Sequence, residues 1–227
     1  MNNVKIKAIL LDFDGTVVDS EQSRFESSKR ILKNYNFDLT NDMWENKYKA
    51  LSSKDLFEDA IGKLKLNVTS DELYKQAHTL RTQIESEEGV RVIDGFRDFY
   101  NKCKELNLKC IVCSGGTTEH VQRVLKQCEI DIVGFGREEY NRRKPKPDAW
   151  ICGMKKLGVK PNEVILFDDA STGIIAGLRA GIKRCCAIHY DKKDFEDIAK
   201  YEEETPIKVY KYFKNWKDIE IESLIRK

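Results

Sequence analysis

Leu10-Leu11-Asp12-Phe13-Asp14-Gly15-Thr16 places two carboxylates and a glycine at the end of an apolar run. Residues Ile6–Leu11 are apolar except for one lysine, which predicts a short strand covered on both faces of a sheet. Asp12 then stands where that strand ends, and Asp14 can face the same space because the glycine permits a tight turn. The stretch therefore predicts a buried strand that carries an acidic pair into a ligand site.

The later part of the chain alternates predicted helices with short apolar strands. The strands are predicted at 108–113, 131–134, 164–167 and 184–188, and near 207–210 in the tail. The helices are predicted at 94–106, 117–128, 147–157 and 172–180, with two more in the tail. This alternation predicts an α/β fold, a Rossmann-like parallel sheet core with helices on both faces. Ligands bind such sheets at the carboxyl ends of the strands.

Residues 19–90 interrupt this alternation with helical patterns alone, at 21–35, 39–48, 54–64 and 70–86. An insertion after the first strand would stand above the carboxyl ends of the sheet strands. We therefore predict an all-helical cap domain over residues 19–90, inserted in an α/β core domain formed by residues 1–18 and 91–227. The connections at 16–20 and 88–94 are the predicted hinges of cap closure.

The bulk composition excludes several classes of partner. The 227 residues carry a net charge of +2, which provides no bulk attraction to nucleic acid or anionic membranes. No apolar run approaches the ~20 residues needed to span a bilayer. We expect a cytoplasmic protein with no nucleic-acid or membrane partner, and the sequence carries no signal for its oligomeric state.

The seven cysteines do not predict a disulfide framework, because their number is odd and their spacing is not that of a small scaffold. Cys110 and Cys113 form a C-x-x-C pattern, which occurs in redox and zinc sites. Residues three apart on a strand point to opposite faces, however, and the second pair of a zinc ribbon is absent. Buried, reduced thiols are the prediction.

A second acidic pair, Asp168-Asp169, ends the predicted strand at 164–167. Each acidic pair alone could serve only a turn or a helix N-cap. Both pairs are expected at the same edge of one sheet, where crowded carboxylates repel each other unless a cation lies beside them. Hard oxygen ligands fit Mg²⁺, so a magnesium site is predicted there.

Two further segments supply groups that suit a phosphate. Ser114-Gly115-Gly116 follows a strand and precedes a helix, which makes a phosphate cradle, although a serine nucleophile or a plain N-cap would use the same residues. Lys144 lies in a basic run stiffened by two prolines. A lysine held over the acidic centre would stabilise a transferring phosphoryl group, and Lys146 is the alternative to Lys144.

These motifs together resemble the haloacid dehalogenase-like hydrolase superfamily, in the branch with a helical cap that includes phosphoglycolate phosphatases and β-phosphoglucomutases. The resemblance implies that Asp12 is a nucleophile that forms an aspartyl-phosphate, and that Asp14 is the general acid and base. It implies that Mg²⁺ is held by Asp12, the backbone carbonyl of Asp14 and Asp169, with Asp168 close by or bound through water. Ser114 and the Gly115 N–H would hold the phosphate of a small phosphorylated metabolite, and Lys144 would neutralise charge.

The resemblance leaves a phosphatase and a phosphosugar mutase as alternatives. Where the mutase has a cap histidine this chain has Arg24, and where it has a cap-loop arginine the nearest cation is Lys54. Thr16 after the glycine is similar to the phosphatases, so hydrolysis is favoured. Arg24, Lys54 and Thr16 are predicted substrate contacts, and the alternative for the two cations is a helix surface charge. A third alternative is a non-catalytic phospho-acceptor protein, which the cap and Asp14 argue against.

Overall fold

The computed structural model describes residues 5–49, 51–189, 192–203, 205 and 208–226, without the side chains of residues 192–195. The chain divides into two compact units. The first, called the sheet unit here, comprises Met1–Asp19 and Arg91–Lys227. The second, called the helical unit, comprises Ser20–Val90. The helical unit is therefore an insertion in the sequence of the sheet unit.

The described residues form eight strands and ten α-helices. The strands are β1 (Ala8–Leu11), β2 (Val18–Asp19), β3 (Arg91–Val92), β4 (Lys109–Cys113), β5 (Val133–Phe135), β6 (Val164–Asp168), β7 (Cys185–Ile188) and β8 (Lys211–Phe213). The α-helices are α1 (Glu21–Lys33), α2 (Asn41–Met43), α3 (Ser53–Leu64), α4 (Ser70–Glu88), α5 (Phe96–Glu105), α6 (Thr118–Gln127), α7 (Asp148–Leu157), α8 (Ser171–Arg179), α9 (Lys192–Glu203) and α10 (Ile221–Ile225).

Six strands form one sheet in the order β5-β4-β1-β6-β7-β8, and every neighbouring pair is parallel. The four residues of β1 and the five of β6 are all buried, as strands covered on both faces must be. The sheet core continues into apolar side chains of the surrounding helices, among them Trp150 and Ile174. The predicted Rossmann-like α/β fold is confirmed.

The register of the central strands brings their carboxyl ends to one level. Leu11 at the end of β1 pairs with Val112 of β4 on one side and with Phe167 of β6 on the other. The residues that follow Leu11, Val112 and Phe167 therefore lie side by side at the carboxyl edge of the sheet. The backbone N–H of Asp12 donates to the carbonyl oxygen of Phe167 at 3.0 Å, which continues the ladder one residue beyond β1.

Some predicted boundaries differ from the observed ones at the edges of the sheet. The strand predicted at 131–134 is β5, which begins at Val133, because the buried Ile130 and Ile132 pack before the chain comes into register with β4. The strand predicted near 207–210 is β8, which begins at Lys211 where pairing with β7 starts. Residue 207 lies outside the described residues.

The helical unit contains α1 to α4, and its described residues form no strand. The helix predicted at 39–48 is instead the short α2 followed by a π-helical turn, Trp44–Tyr48, whose two end residues are buried in the apolar core of the unit. The long α4 begins at a capping box, in which Thr69 accepts from the Glu72 N–H and the Glu72 carboxylate accepts from Thr69.

The prediction of buried thiols at Cys110 and Cys113 is confirmed for Cys113 but wrong for Cys110, which is partly exposed because it lies near the exposed start of β4. The seven cysteines, all among the described residues, form no disulfide. Five are buried, and Cys110 and Cys152 are partly exposed. In the described part of the chain, no helix combines the length and the apolar character needed to cross a membrane.

Candidate active site

Three carboxylates meet at the carboxyl ends of β1 and β6. Asp12 follows β1, Asp168 is the last residue of β6 and Asp169 follows it. Each offers one oxygen, and these oxygens lie within 4.8 Å of one another. The sequence pairs two of these residues along the chain, and the parallel register brings the third to them.

Lys144 reaches into this acidic cluster from the loop before α7. Its Nζ donates to Asp12 Oδ1 and, at 2.7 Å, to Asp168 Oδ2. The ammonium also lies 4.1 Å from the centre of the Trp150 ring. Only 12% of the lysine side chain is exposed, so these contacts occur away from bulk water, where the attraction between opposite charges is strong. The predicted choice of Lys144 over Lys146 agrees with this geometry, since Lys146 is exposed.

The buried charges alter one another's protonation. Burial raises the pKa of Asp12 to about 7, with Lys144 opposing the rise and Asp168 adding to it. Burial also raises the pKa of Asp169 well above its usual range, and Asp12 and Asp168 raise it further. Burial alone would lower the pKa of Lys144, but Asp12 and Asp168 outweigh burial and raise it. One lysine therefore does not neutralise the cluster.

A divalent cation fits this donor set. Carboxylate oxygens are hard ligands of the kind Mg²⁺ prefers, and a cation beside Asp12 and Asp169 would offset the burial that raises their pKa values. The packing around the donors is close: a Cβ on Gly173 would lie 1.7 Å from Asp168 Oδ2, and one on Gly15 would lie 2.2 Å from Asp169 Oδ2. The two glycines let backbone approach the carboxylates.

The turn after β1 places Asp14 and Thr16. Gly15 has φ +83°, a conformation that glycine adopts without steric cost. Asp14 lies on the side of Ser114, whose Oγ donates to Asp14 Oδ2 at 3.5 Å. The fully buried Thr16 hydroxyl donates to Asp169 Oδ1 at 2.8 Å and accepts from the Asp169 N–H at 3.1 Å. In this structure the Thr16 hydroxyl is hydrogen-bonded to Asp169, and direct contact of Thr16 with substrate stays a prediction.

Ser114 follows β4 and begins the predicted phosphate cradle. Its Oγ accepts from the Gly116 N–H at 2.9 Å, and its side chain is fully buried. A Cβ on Gly115 would meet no atom within 4 Å, so the backbone there borders open space. The hydroxyl of Tyr140 donates to the Ser114 carbonyl at 2.8 Å and holds the start of the cradle.

The two predicted cap contacts are engaged within the helical unit. The Arg24 guanidinium donates to the carbonyl oxygens of Leu51 at 2.8 Å and Lys49 at 2.6 Å, and it also binds Glu21. Lys54 forms an ion pair with Asp71. These contacts give both cations a structural task inside the unit, and their contact with substrate stays a prediction.

Two residues near the site were not predicted from the sequence. Tyr140 contacts Ser114, and the indole of Trp216 donates to the carbonyl of Thr16 at 2.8 Å. Neither residue belongs to a motif, and Trp216 lies in the tail, where no chemistry was predicted. An aromatic residue with a polar tip that is fully buried usually has a hydrogen-bond partner, but the sequence does not identify that partner.

Comparisons with known proteins identify the family of this chain. Residues 9–187 match the sequence profile described as haloacid dehalogenase-like hydrolase. The chain is 30% identical over 191 residues to YhcW of Bacillus subtilis, a protein named as a phosphatase, covering 78% of this chain and 81% of the relative. It is 21% identical over 193 residues to the phosphorylated carbohydrates phosphatase of Thermotoga maritima, covering 83% and 88%.

The solved structures that are similar share the fold. The β-phosphoglucomutase of Clostridium difficile superposes with a TM-score of 0.75 at 16% identity, over 96% of this chain and 95% of that one. The fold, the acidic cluster and the profile match over most of the chain point to the same family. The chain belongs to the haloacid dehalogenase-like hydrolases, as a phosphatase or phosphomutase of that family.

Proposed function

We propose that this protein is a Mg²⁺-dependent phosphatase that hydrolyses a small phosphorylated metabolite through an aspartyl-phosphate on Asp12. The observation that carries the proposal is the contact of Lys144 with both Asp12 and Asp168, beside Asp169 and at the end of β1. A carboxylate attacks a phosphate ester slowly unless positive charge offsets the repulsion between them. Lys144 and a bound cation would supply that charge.

The proposed reaction has two balanced steps. In the first, an Asp12 oxygen bonds to phosphorus, the ester P–O bond breaks, and Asp14 gives its proton to the departing oxygen. In the second, Asp14 takes a proton from water, the water oxygen bonds to phosphorus, and the bond between Asp12 and phosphorus breaks. Asp14 lies two residues beyond the nucleophile and within 3.5 Å of Ser114 Oγ, on the side of the proposed phosphate cradle. Its general acid and base role would contribute a factor of about 10² to 10⁴ in rate.

Asp12, the backbone carbonyl of Asp14, and Asp169 would hold Mg²⁺, with Asp168 beside them. When bound, the cation supplies charge stabilisation to the phosphoryl oxygens. Lys144 favours the ionised form of Asp12, since its attraction opposes the rise in pKa that burial causes. Ser114 and the Gly115 N–H would bind the remaining phosphoryl oxygens.

We propose further that residues 19–90 act as a cap, with hinges at 16–20 and 88–94. Relatives named for phosphorylated carbohydrates and for validoxylamine A 7′-phosphate suggest a polyhydroxylated phosphate ester as substrate. The mutase alternative needs a group that holds a second phosphate. The candidates Arg24 and Lys54 are bound to neighbouring groups of the helical unit, which favours hydrolysis.

The test is phosphate release from a panel of small phosphate esters, with Mg²⁺ and with EDTA. The wild type is compared with Asp12→Asn and with Asp38→Asn, a matched change at an exposed position of the helical unit. We expect metal-dependent release that is lost in Asp12→Asn and kept in Asp38→Asn. Isomerisation of a sugar phosphate without phosphate release would support the mutase, and a long-lived phosphoprotein without turnover would support the phospho-acceptor. Either result would contradict the proposal.

A further inference from the structure

The tail of the chain contacts the turn that follows β1. Trp216 lies 200 residues after Thr16 in the sequence, and its Nε1–H donates to the Thr16 carbonyl at 2.8 Å. The indole is 2% exposed, and both groups are in the sheet unit. Buried carbonyl groups are rarely left without a hydrogen-bond partner, so this hydrogen bond constrains the turn.

The position of the indole is fixed by other aromatic rings. Its ring centre lies 5.2 Å from that of Phe96, 4.5 Å from that of Phe99 and 5.1 Å from that of Phe167. Phe167 belongs to β6 and directly precedes Asp168. The donor is therefore held against the same strand that carries the acidic pair, and its orientation is set by packing on α5 and β6 together.

The backbone before α5 is shaped to receive this part of the tail. Gly95 has φ +82°, and a Cβ there would lie 3.1 Å from Trp216 Cβ and 2.9 Å from Lys217 Cγ. Lys217 in turn forms an ion pair with Asp94. The backbone at Gly95 and the ion pair with Asp94 therefore both hold the segment around Trp216, and its indole has a defined position.

Thr16 connects the Trp216 indole to the acidic cluster. Its carbonyl accepts from Trp216, and its hydroxyl both donates to Asp169 Oδ1 at 2.8 Å and accepts from the Asp169 N–H at 3.1 Å. A single residue therefore separates the indole from a carboxylate of the acidic cluster. Groups that orient metal ligands in this way set metal affinity, typically by a factor of 10–100.

We infer that Trp216 is a positioning residue, which through Thr16 holds the Asp169 carboxylate in the orientation that binds Mg²⁺. This inference rests on the part of the proposed function that makes Asp169 a metal ligand. Without the indole donor, the Thr16 carbonyl must find another partner, and the turn can shift. The Thr16 hydroxyl then no longer fixes one rotamer of Asp169.

The first test is calorimetric titration of the full-length protein with Mg²⁺ alone. Trp216→Phe keeps an aromatic ring but lacks the N–H, and we expect its Mg²⁺ dissociation constant to rise about tenfold. The matched control is Trp44→Phe, which makes the same side-chain change in the core of the helical unit and leaves the Trp216 donor and its neighbours in place. We expect that variant to stay within about twofold of the wild type, because its orienting hydrogen bonds are intact. Equal losses in both variants, or no loss in Trp216→Phe, would overturn the inference.

A double-mutant cycle tests whether Trp216 acts through Thr16. Thr16→Val keeps the branched shape but removes the hydroxyl, so Asp169 loses its contact whether or not Trp216 is present. Adding Trp216→Phe to that background should change Mg²⁺ affinity by less than about twofold, far below its effect alone, because residues in one hydrogen-bonded chain are not additive. Additive effects would show that Trp216 acts by another route and would contradict the inference.

A measurement on the wild type covers the case in which Trp216→Phe does not fold. The chain has three tryptophans, and ¹⁵N spectra resolve their indole N–H signals. Trp44→Phe and Trp150→Phe assign the Trp216 signal by elimination. On addition of Mg²⁺ we expect the Trp216 signal to shift and that of Trp44, in the helical unit, to stay unchanged. A stationary Trp216 signal would overturn the inference.

The same preparations separate this inference from the proposed function. If the wild type binds Mg²⁺ and Trp216→Phe binds it about tenfold more weakly, but no ester is hydrolysed, the phosphatase proposal fails and the inference stands. If the wild type releases phosphate and Trp216→Phe binds Mg²⁺ normally, the inference fails alone. A wild type that does not bind Mg²⁺ would contradict both.

Discussion

Replacing Lys144 by methionine should disable the site, because the lysine is the only cation within contact of Asp12 and Asp168 among the described residues. At the 2.7 Å that separates Nζ from Asp168 Oδ2, a pair of unit charges attracts by about 6 kcal/mol at an effective dielectric constant of about 20. The cost of burying the lysine offsets part of this energy. Removing one preorganised donor that stabilises negative charge in a transition state costs about 2.7–4 kcal/mol in an oxyanion hole, and we expect a similar loss here.

We therefore expect Lys144→Met to lower kcat for phosphate release by about 10² to 10³ at saturating Mg²⁺. In the metal-free protein the pKa of Asp12, which burial raises to about 7, should rise further without the lysine, because the attraction of Lys144 opposes that rise. Titration of the metal-free proteins should accordingly give a higher pKa for Asp12 in the variant than in the wild type.

Lys146→Met is the matched control, since it removes a lysine two residues away that is exposed to solvent. We expect less than about a twofold change in kcat, because a rim charge interacts weakly with a buried centre. Circular dichroism establishes that both variants are folded. A Lys144→Met enzyme within tenfold of the wild type would refute the argument, and so would an equal loss in Lys146→Met.

Three further predictions concern other parts of the molecule. Hydrogen bonds, foremost the one from Tyr48, lower the pKa of Asp59, so its contribution to stability is complete above the unfolded pKa of about 4 and is lost as the pH falls through the folded pKa. Urea unfolding between pH 7 and pH 3 should therefore show a smaller loss of stability for Asp59→Asn than for the wild type, and parallel curves would contradict this. Thr69→Ala removes one half of the capping box and should cost about 1 kcal/mol in urea unfolding at pH 7, with Ser70→Ala, one residue inside the helix, costing less. Gly173→Ala should abolish measurable phosphate release, because the added Cβ would lie 1.7 Å from Asp168 Oδ2, whereas Gly62→Ala, which meets no atom within 4 Å, should keep full activity.

The acidic cluster could be predicted from the sequence because each of its residues stands at the end of a short apolar strand. Parallel pairing then brings Asp12 and Asp168 to one edge with no further information, since Leu11 pairs with Phe167. Lys144 could be predicted for a related reason, because the prolines that follow it hold its loop beside the start of α7. A site formed at strand ends can therefore be predicted even when its residues lie far apart in the sequence, because each of them is marked by its own strand.

Contacts that depend on packing could not be predicted in this way. The hydrogen bond of Trp216 with Thr16 requires the tail to dock on α5, and the residue types alone do not specify that docking. The hydrogen bonds of Arg24 with Leu51 and Lys49 likewise depend on packing within the helical unit, while its contact with substrate stays a prediction. The observed bounds of an edge strand such as β8 also differ from the predicted ones, because an edge strand has a single neighbour, here β7, to fix its register.

Rapid acid quenching of the enzyme during turnover would trap the covalent intermediate that we propose on Asp12. Peptide mass spectrometry after the quench should find one phosphoryl group on the peptide that contains Asp12, in an amount that rises and falls with turnover, and none in Asp12→Asn. Phosphate release by the wild type with no phosphoryl group on that peptide, or with the group on Ser114, would contradict the account.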